Sequence, residues 1–140
     1  RVEDPSVSQL AGLANVKFLG ELPHAELEDH VAGFDVALIP FRLNELTLAA
    51  NPIKLYEYFS YGVPVVSTNL PEVSMFGDLV YIGNHPEEFA EKVEAAAYEN
   101  DASRRQKRIS IAQRETWTAR AGQLQAAFAE LISRSDAPPG

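Results

Sequence analysis

The sequence predicts an α/β domain built on a doubly wound parallel sheet, and three observations carry that expectation. Its short apolar runs are apolar throughout instead of alternating with polar residues, the pattern of strands buried on both faces. Stretches with apolar residues three and four apart separate these runs, so helices lie between strands. A chain of 140 residues that is 46% hydrophobic can also bury one packed core.

The elements follow in chain order. Val16 to Leu19, apolar but for Lys17 and closed by Gly20, is expected as the first strand. Residues 25–32 carry Leu27 and Val31 four apart behind Pro23, which suits a short amphipathic helix. Val36 to Ile39, closed by Pro40, is the second strand. Pro64 to Ser67, between Gly62 and Pro71, is the third, and Leu79 to Ile82 the fourth. Pro86 to Glu99 places Phe89, Val93 and Ala97 on one face behind a proline in its first turn, a helix. Two further helices are expected over residues 102–115 and 117–133. The last carries a stripe of Trp117, Ala121, Leu124, Phe128 and Leu131, expected to pack into the core or in part against a neighbouring domain. The α/β part thus spans 1–100, the C-terminal helices 101–135, and residues 136–140 form a frayed tail.

Charge is unevenly spread. The net charge of -8 conceals 5 basic and 16 acidic residues through Asn100, against 7 basic and 4 acidic beyond it. An acidic chain argues against binding nucleic acid through phosphate neutralisation. Arg104, Arg105, Lys107 and Arg108 form a basic cluster with no aromatic residue interleaved, expected to be a solvated helix face. The chain has no cysteine, so disulfides and thiolate chemistry are excluded. No apolar run approaches the roughly 20 residues of a membrane helix, and the expectation is a soluble, cytoplasmic protein, with the cytoplasmic face of a membrane as a further location. His24, His30 and His85 have no spacing suited to a shared metal, and no metal site is expected. Ser60, Ser67 and Ser74 lack the Gly-x-Ser-x-Gly context of a hydrolase.

In doubly wound sheets, ligands bind beyond the carboxyl ends of the strands. The longest loop there follows Pro40 and leads into Asn51-Pro52-Ile53-Lys54-Leu55-Tyr56-Glu57-Tyr58-Phe59. Asn51 is expected to cap a helix that begins at Pro52, with its free amides facing the strand ends. Such a helix start favours anions, a diphosphate among them. Lys54 lies in the first turn, where a cation opposes the helix dipole, which suits either an anion-binding role or a solvated side chain. Glu57 sits among apolar residues; two adjacent sugar hydroxyls could satisfy it, and so could Lys54 three residues earlier.

Several blocks together resemble the C-terminal half of group 1 (family 4) glycosyltransferases of the GT-B fold. They are Asn15-Val16-x-Phe18-x-Gly20, Phe34-Asp35-Val36-Ala37-Leu38-Ile39-Pro40, Pro52-x-Lys54-Leu55-Tyr56-Glu57-Tyr58 with Gly62-x-Pro64-Val65-Val66, and the late Thr116-Trp117. The resemblance covers about residues 10–133. It implies a Rossmann-like domain that binds a nucleotide-sugar, and transfer of the sugar to an acceptor hydroxyl on a glycan, a lipid or a small molecule. It implies retention of configuration and neither a metal nor a cofactor. By the same resemblance, Glu57 binds the donor ribose, Gly20, Glu21 and Leu22 lie against the base, and Asn51, Pro52 and Ile53 lie near the diphosphate and sugar, with Lys54 beside them. The family's first glutamate, which contacts the transferred sugar, falls on Ala49 and is absent. No catalytic residue is assigned.

Under that resemblance, the four expected strands correspond to the third through sixth of the order 3-2-1-4-5-6, so the first two strand-helix units are missing. The chain is therefore expected to be a partial donor-binding domain, without its acceptor-binding N-terminal domain and inactive alone. The missing strands would come from a longer chain, another copy or a different segment. Two other readings stay open: a GT-B enzyme of another reaction type, such as a nucleotide-sugar epimerase, and a non-catalytic, flavodoxin-like interaction domain.

Overall fold

The computed structural model describes residues 5–135. They form two compact units, Arg1–His30 and Val31–Gly140. The expected tail at 136–140 lies outside the described residues.

In the first unit, helix α1 (Pro5–Leu10) leads through turns closed by Leu13 N to Leu10 O and Val16 N to Leu13 O into an irregular stretch. That stretch contains Val16 to Leu19, which is not a strand, contrary to expectation. A strand exists only by pairing, and no segment among the described residues hydrogen-bonds to it as a strand neighbour. Phe18 and Leu19 are correspondingly exposed. Gly20 adopts a positive φ of 72°, a conformation glycine takes without a Cβ clash, and turns the chain toward α2 (His24–Ala32).

The second unit holds a parallel sheet of β1 (Ala37–Ile39), β2 (Val65–Ser67) and β3 (Val80–Ile82), in that spatial order. Ala37 pairs with Val65 and Val65 with Val80, so the three strands run in step. Between β1 and β2 lie the single turn α3 (Glu45–Leu48) and helix α4 (Ile53–Ser60); α5 (Pro71–Ser74) and a 3-10 turn (Gly77–Leu79) precede β3. The helices α6 (Pro86–Ala97), α7 (Ala102–Arg114) and α8 (Trp117–Ser135) complete the chain. This is the Rossmann-like α/β architecture with a helical C-terminus. Every residue of β2 is fully buried, which is why that run could be apolar throughout. Leu38 departs from that pattern: it is 45% exposed on the face of β1 opposite Ala37 and Ile39. The sheet is thus uncovered there, and Leu38 borders an apolar cleft of about 600 Å³ with Phe89 and Val93 of α6.

Helix α4 buries Leu55 and Phe59 against β2, and Phe59 meets Phe76 edge-on with ring centroids 5.5 Å apart. Helix α7 packs on α4, and α6 packs against β2 and β3. Close approach demands glycine twice. Gly62 has φ 71°, and a Cβ there would fall 2.5 Å from Arg105 Cγ. A Cβ on Gly83 would lie 2.5 Å from the Cα of Phe89.

The basic cluster of α7 is not a solvated face. Arg108 is fully buried: its Nε donates to Leu79 O at 2.9 Å and its Nη1 to Gly62 O at 3.0 Å. Its Nη2 donates to both carboxylate oxygens of Glu99, at 2.7 and 2.6 Å. Arg104 also pairs with Glu99 at 2.9 Å and lies over the ring of Tyr81, whose hydroxyl donates to Glu99. Burial, then the hydrogen bond to Glu99, raises the Tyr81 phenol above its ordinary value. The long stem and five donors of arginine let it cross a helix interface that a charge count treats as surface. The stripe on α8 also departs from expectation: Ala121, Leu124 and Phe128 are exposed, and so is Ile132, so this face is not core among the described residues. The side chains of Trp117 and Leu131 lie outside the described residues.

Two helices start on carboxylates or their neighbours. Asp101 Oδ1 accepts from the amides of Ser103 and Arg104 at 2.9 and 3.0 Å, capping α7. Ahead of α6, Glu88 Oε2 accepts from the backbone amide and side chain of Asn84, both at 2.9 Å.

Two predictions follow from these contacts. Arg108→Ala, which leaves Glu99 buried without its main partner, is expected to destabilise the fold by about 3–5 kcal/mol in urea denaturation. The double change Arg108→Met with Glu99→Leu should cost distinctly less, because no charge is then stranded. The amide of Arg104 holds the Asp101 carboxyl below its ordinary 3.8. Its capping contribution is therefore complete above the unfolded value and lost as pH falls through the lower folded value. Melting temperatures of Asp101→Asn, which retains a cap, should fall less steeply than those of the unaltered protein across that acidic window.

Candidate functional site

The loop after β1 is built, not loose. Thr68 Oγ1 donates to Phe41 O at 2.9 Å, tying the end of β2 to the loop. A capping box then forms α3: Thr47 N donates to Asn44 Oδ1 at 3.0 Å, and Asn44 N to Thr47 Oγ1 at 2.9 Å. The threonine hydroxyl in turn donates to Arg42 O at 2.6 Å. Ala49, at the family's first-glutamate position, is the C-cap of this turn.

The start of α4 differs from expectation by one residue. Pro52, not Asn51, is the N-cap; its backbone is extended at φ -74° and ψ 109°, and the helix begins at Ile53. Proline has no N–H to lose at such a position, and its carbonyl accepts from Leu55 N at 3.0 Å. No side chain caps this end, so the first amides of α4 receive no side-chain acceptor. Asn51 and Ile53 are exposed beside it, while Pro52 is buried.

With Leu55 and Phe59 turned into the core, residues 53, 56, 57 and 60 share the outward face of α4. That face walls a cleft of about 490 Å³, closed on the other side by Glu115 and Thr116 at the junction of α7 and α8. The Glu57 side chain is 34% exposed, and its Oε2 lies 3.9 Å from Lys54 Nζ. The Lys54 chain is 62% exposed and does not line the cleft, so the pair is a surface ion pair of small energetic weight and readily exchanged. Burial, then the neighbouring Glu57 charge, raises the Tyr58 phenol. The Ser60 hydroxyl donates back to Glu57 O at 2.6 Å. At the junction, Thr116 Oγ1 accepts from Ala119 N at 3.2 Å, opening α8.

The fold thus brings Asn51, Ile53 and Glu57 to one cleft, with Lys54 at its margin and Pro52 beneath. Gly20, Glu21 and Leu22 belong to the first unit. Glu115 and Thr116 were not legible as a wall of this cleft, because they lie some sixty positions from Glu57 in the chain. No group of three or more metal-ligating side chains gathers among the described residues, and no helix among them is long and apolar enough to cross a membrane.

Comparison with known proteins identifies the family. The family model described as Glycosyl transferases group 1 matches residues 2–98. The chain is 32% identical over 119 residues to TuaH of Bacillus subtilis (strain 168), a protein named provisionally as a teichuronic acid biosynthesis glycosyltransferase. The match takes in 81% of this chain but 30% of that relative's length. No solved structure matches significantly.

Proposed function

Since this chain belongs to the group 1 glycosyl transferases, we propose that it is the donor-binding part of an enzyme that moves a sugar from a nucleotide-sugar to an acceptor hydroxyl. The observation that carries the reading is Glu57, held on the outward face of α4 in a 490 Å³ cleft one turn below an uncapped helix start. A cleft of that size suits a nucleoside. A carboxylate accepts from two adjacent hydroxyls at once, so Glu57 would hold the ribose. The uncapped amides at Ile53 and Lys54 would face the diphosphate, with the Lys54 ammonium swinging from Glu57 to the phosphates.

Transfer breaks the bond between the sugar's anomeric carbon and the diphosphate oxygen and forms one to the acceptor oxygen, whose proton must leave. Negative charge grows on the departing diphosphate. Oriented amides and a nearby cation lower the barrier by stabilising that charge, which lets such a site work without a metal ion. Retention of configuration belongs to the same proposal. Ala49 offers no carboxylate to the transferred sugar, so that contact must come from elsewhere.

The acceptor side is proposed to lie in a further domain preceding this one, consistent with a relative of which the chain spans 30%. That relative's assignment to teichuronic acid biosynthesis supports a glycan acceptor.

Glu57→Ala is expected to weaken binding of a nucleoside diphosphate to the full-length protein by about 1–3 kcal/mol, the scale of a hydrogen bond to a charged group. Calorimetry reads this directly, and unchanged affinity removes Glu57 from the site. The 140-residue chain by itself is expected to show no sugar transfer; a radiolabelled-sugar assay that detects turnover by the purified chain refutes the division of labour.

A further inference from the structure

The cleft beside Glu57 has a second wall that the donor-site reading leaves unused. Glu115 and Thr116 close it at the junction of α7 and α8. We propose that Thr116 is a second donor-binding residue, whose hydroxyl donates to the same nucleoside hydroxyls that Glu57 accepts from, so that this junction helps select the nucleotide. The inference rests on the reading of Glu57 as a ribose-binding residue.

The chemistry of the lining leads there. Two carboxylates, Glu57 and Glu115, border the cleft, and no basic side chain among the described residues lines it. A carboxylate accepts hydrogen bonds, so the part of a ligand that suits this lining is rich in O–H groups. Each sugar hydroxyl that donates to a carboxylate still carries lone pairs that need a donor. Among the described residues, Tyr56, Ser60 and Thr116 bring hydroxyls to the lining. That of Ser60 is spent, its proton given to Glu57 O at 2.6 Å. That of Thr116 is not: its oxygen accepts from Ala119 N at 3.2 Å, which leaves its proton free to donate without opening the α8 cap. Ile53 and the ring of Tyr56 supply the apolar floor, and Tyr56 is steadied edge-on by Phe76 at 6.1 Å. An acceptor on α4 and a donor on the junction thus face one hydroxyl-bearing group from two sides.

The test compares Thr116→Val, Thr116→Ser and Thr116→Asp in the full-length protein. UDP, GDP, ADP and CDP are titrated by calorimetry, and the tightest binder is used for all variants. Loss of one neutral hydrogen bond predicts affinity about threefold to tenfold weaker in Thr116→Val and near unaltered in Thr116→Ser. Thr116→Asp separates binding from capping: aspartate caps α8 as well as threonine but has no proton to donate. It should melt like the unaltered protein and bind no better than Thr116→Val. Unaltered affinity in Thr116→Val while Glu57→Ala is weakened overturns this inference and leaves the Glu57 reading standing. Full affinity in Thr116→Asp also overturns it, since capping alone would then explain the residue. Failure of the unaltered protein to bind any of the four nucleotides overturns both.

Discussion

The buried guanidinium of Arg108 is the constraint on which the second unit depends. From one side chain on α7 it reaches the carbonyls of Gly62, just ahead of β2, and Leu79, just ahead of β3, and closes on Glu99 beyond α6. It thereby satisfies two backbone acceptors that lie just outside the β2–β3 ladder, and it neutralises a carboxylate that is only 6% exposed. Arg104 and Tyr81 add to the same carboxylate, so four side chains from α7, β3 and the α6–α7 turn are mutually fixed. Gly62 belongs to this arrangement too. Its positive φ presents its carbonyl to Arg108, and its missing Cβ leaves room for Arg105.

This clamp grips the middle and the first turn of α7, away from the cleft, yet it helps to set the cleft's geometry. Helix α7 is seated on α4, and its C-terminal end delivers Glu115 and Thr116 to the outward face of α4. Helix α4 in turn is seated on β2 by Leu55 and Phe59. The position of Glu57 relative to Thr116 therefore follows from apolar packing on one side of α4 and a buried ion pair on the far side of α7. Glu57 makes only a surface ion pair, and Thr116 keeps its hydroxyl proton while capping α8, which leaves both available for binding.

The acidic balance of the chain can be reconciled with an anionic donor on the same geometry. Most acidic residues occupy helix starts and surfaces, where Asp101 and Glu88 are stabilised by amides. Much of the cationic excess at the C-terminal end is consumed internally, since Arg104 and Arg108 both face Glu99. A diphosphate would therefore be held by oriented backbone and one mobile lysine, and not by the field of the whole chain.

What the sequence by itself determined is the class of fold and the helix that carries the site. The runs at 36–39, 64–67 and 79–82 became adjacent parallel strands, because short apolar runs between helical stretches can be read from apolar content alone. The period of Leu55 and Phe59 likewise turned Glu57 outward, since helical spacing assigns faces without reference to neighbours. Only the tertiary structure decided the rest, wherever the outcome depends on a partner distant in sequence. Val16 to Leu19 has the composition of a strand and no ladder among the described residues to join; Leu124 and Phe128 have the period of a core helix and no core against them. Arg108 has the look of a solvated cation, and what reversed it were carbonyls 46 and 29 positions away. The same holds for Thr116, which became a wall of the Glu57 cleft because α7 packs on α4 and brings two remote turns together.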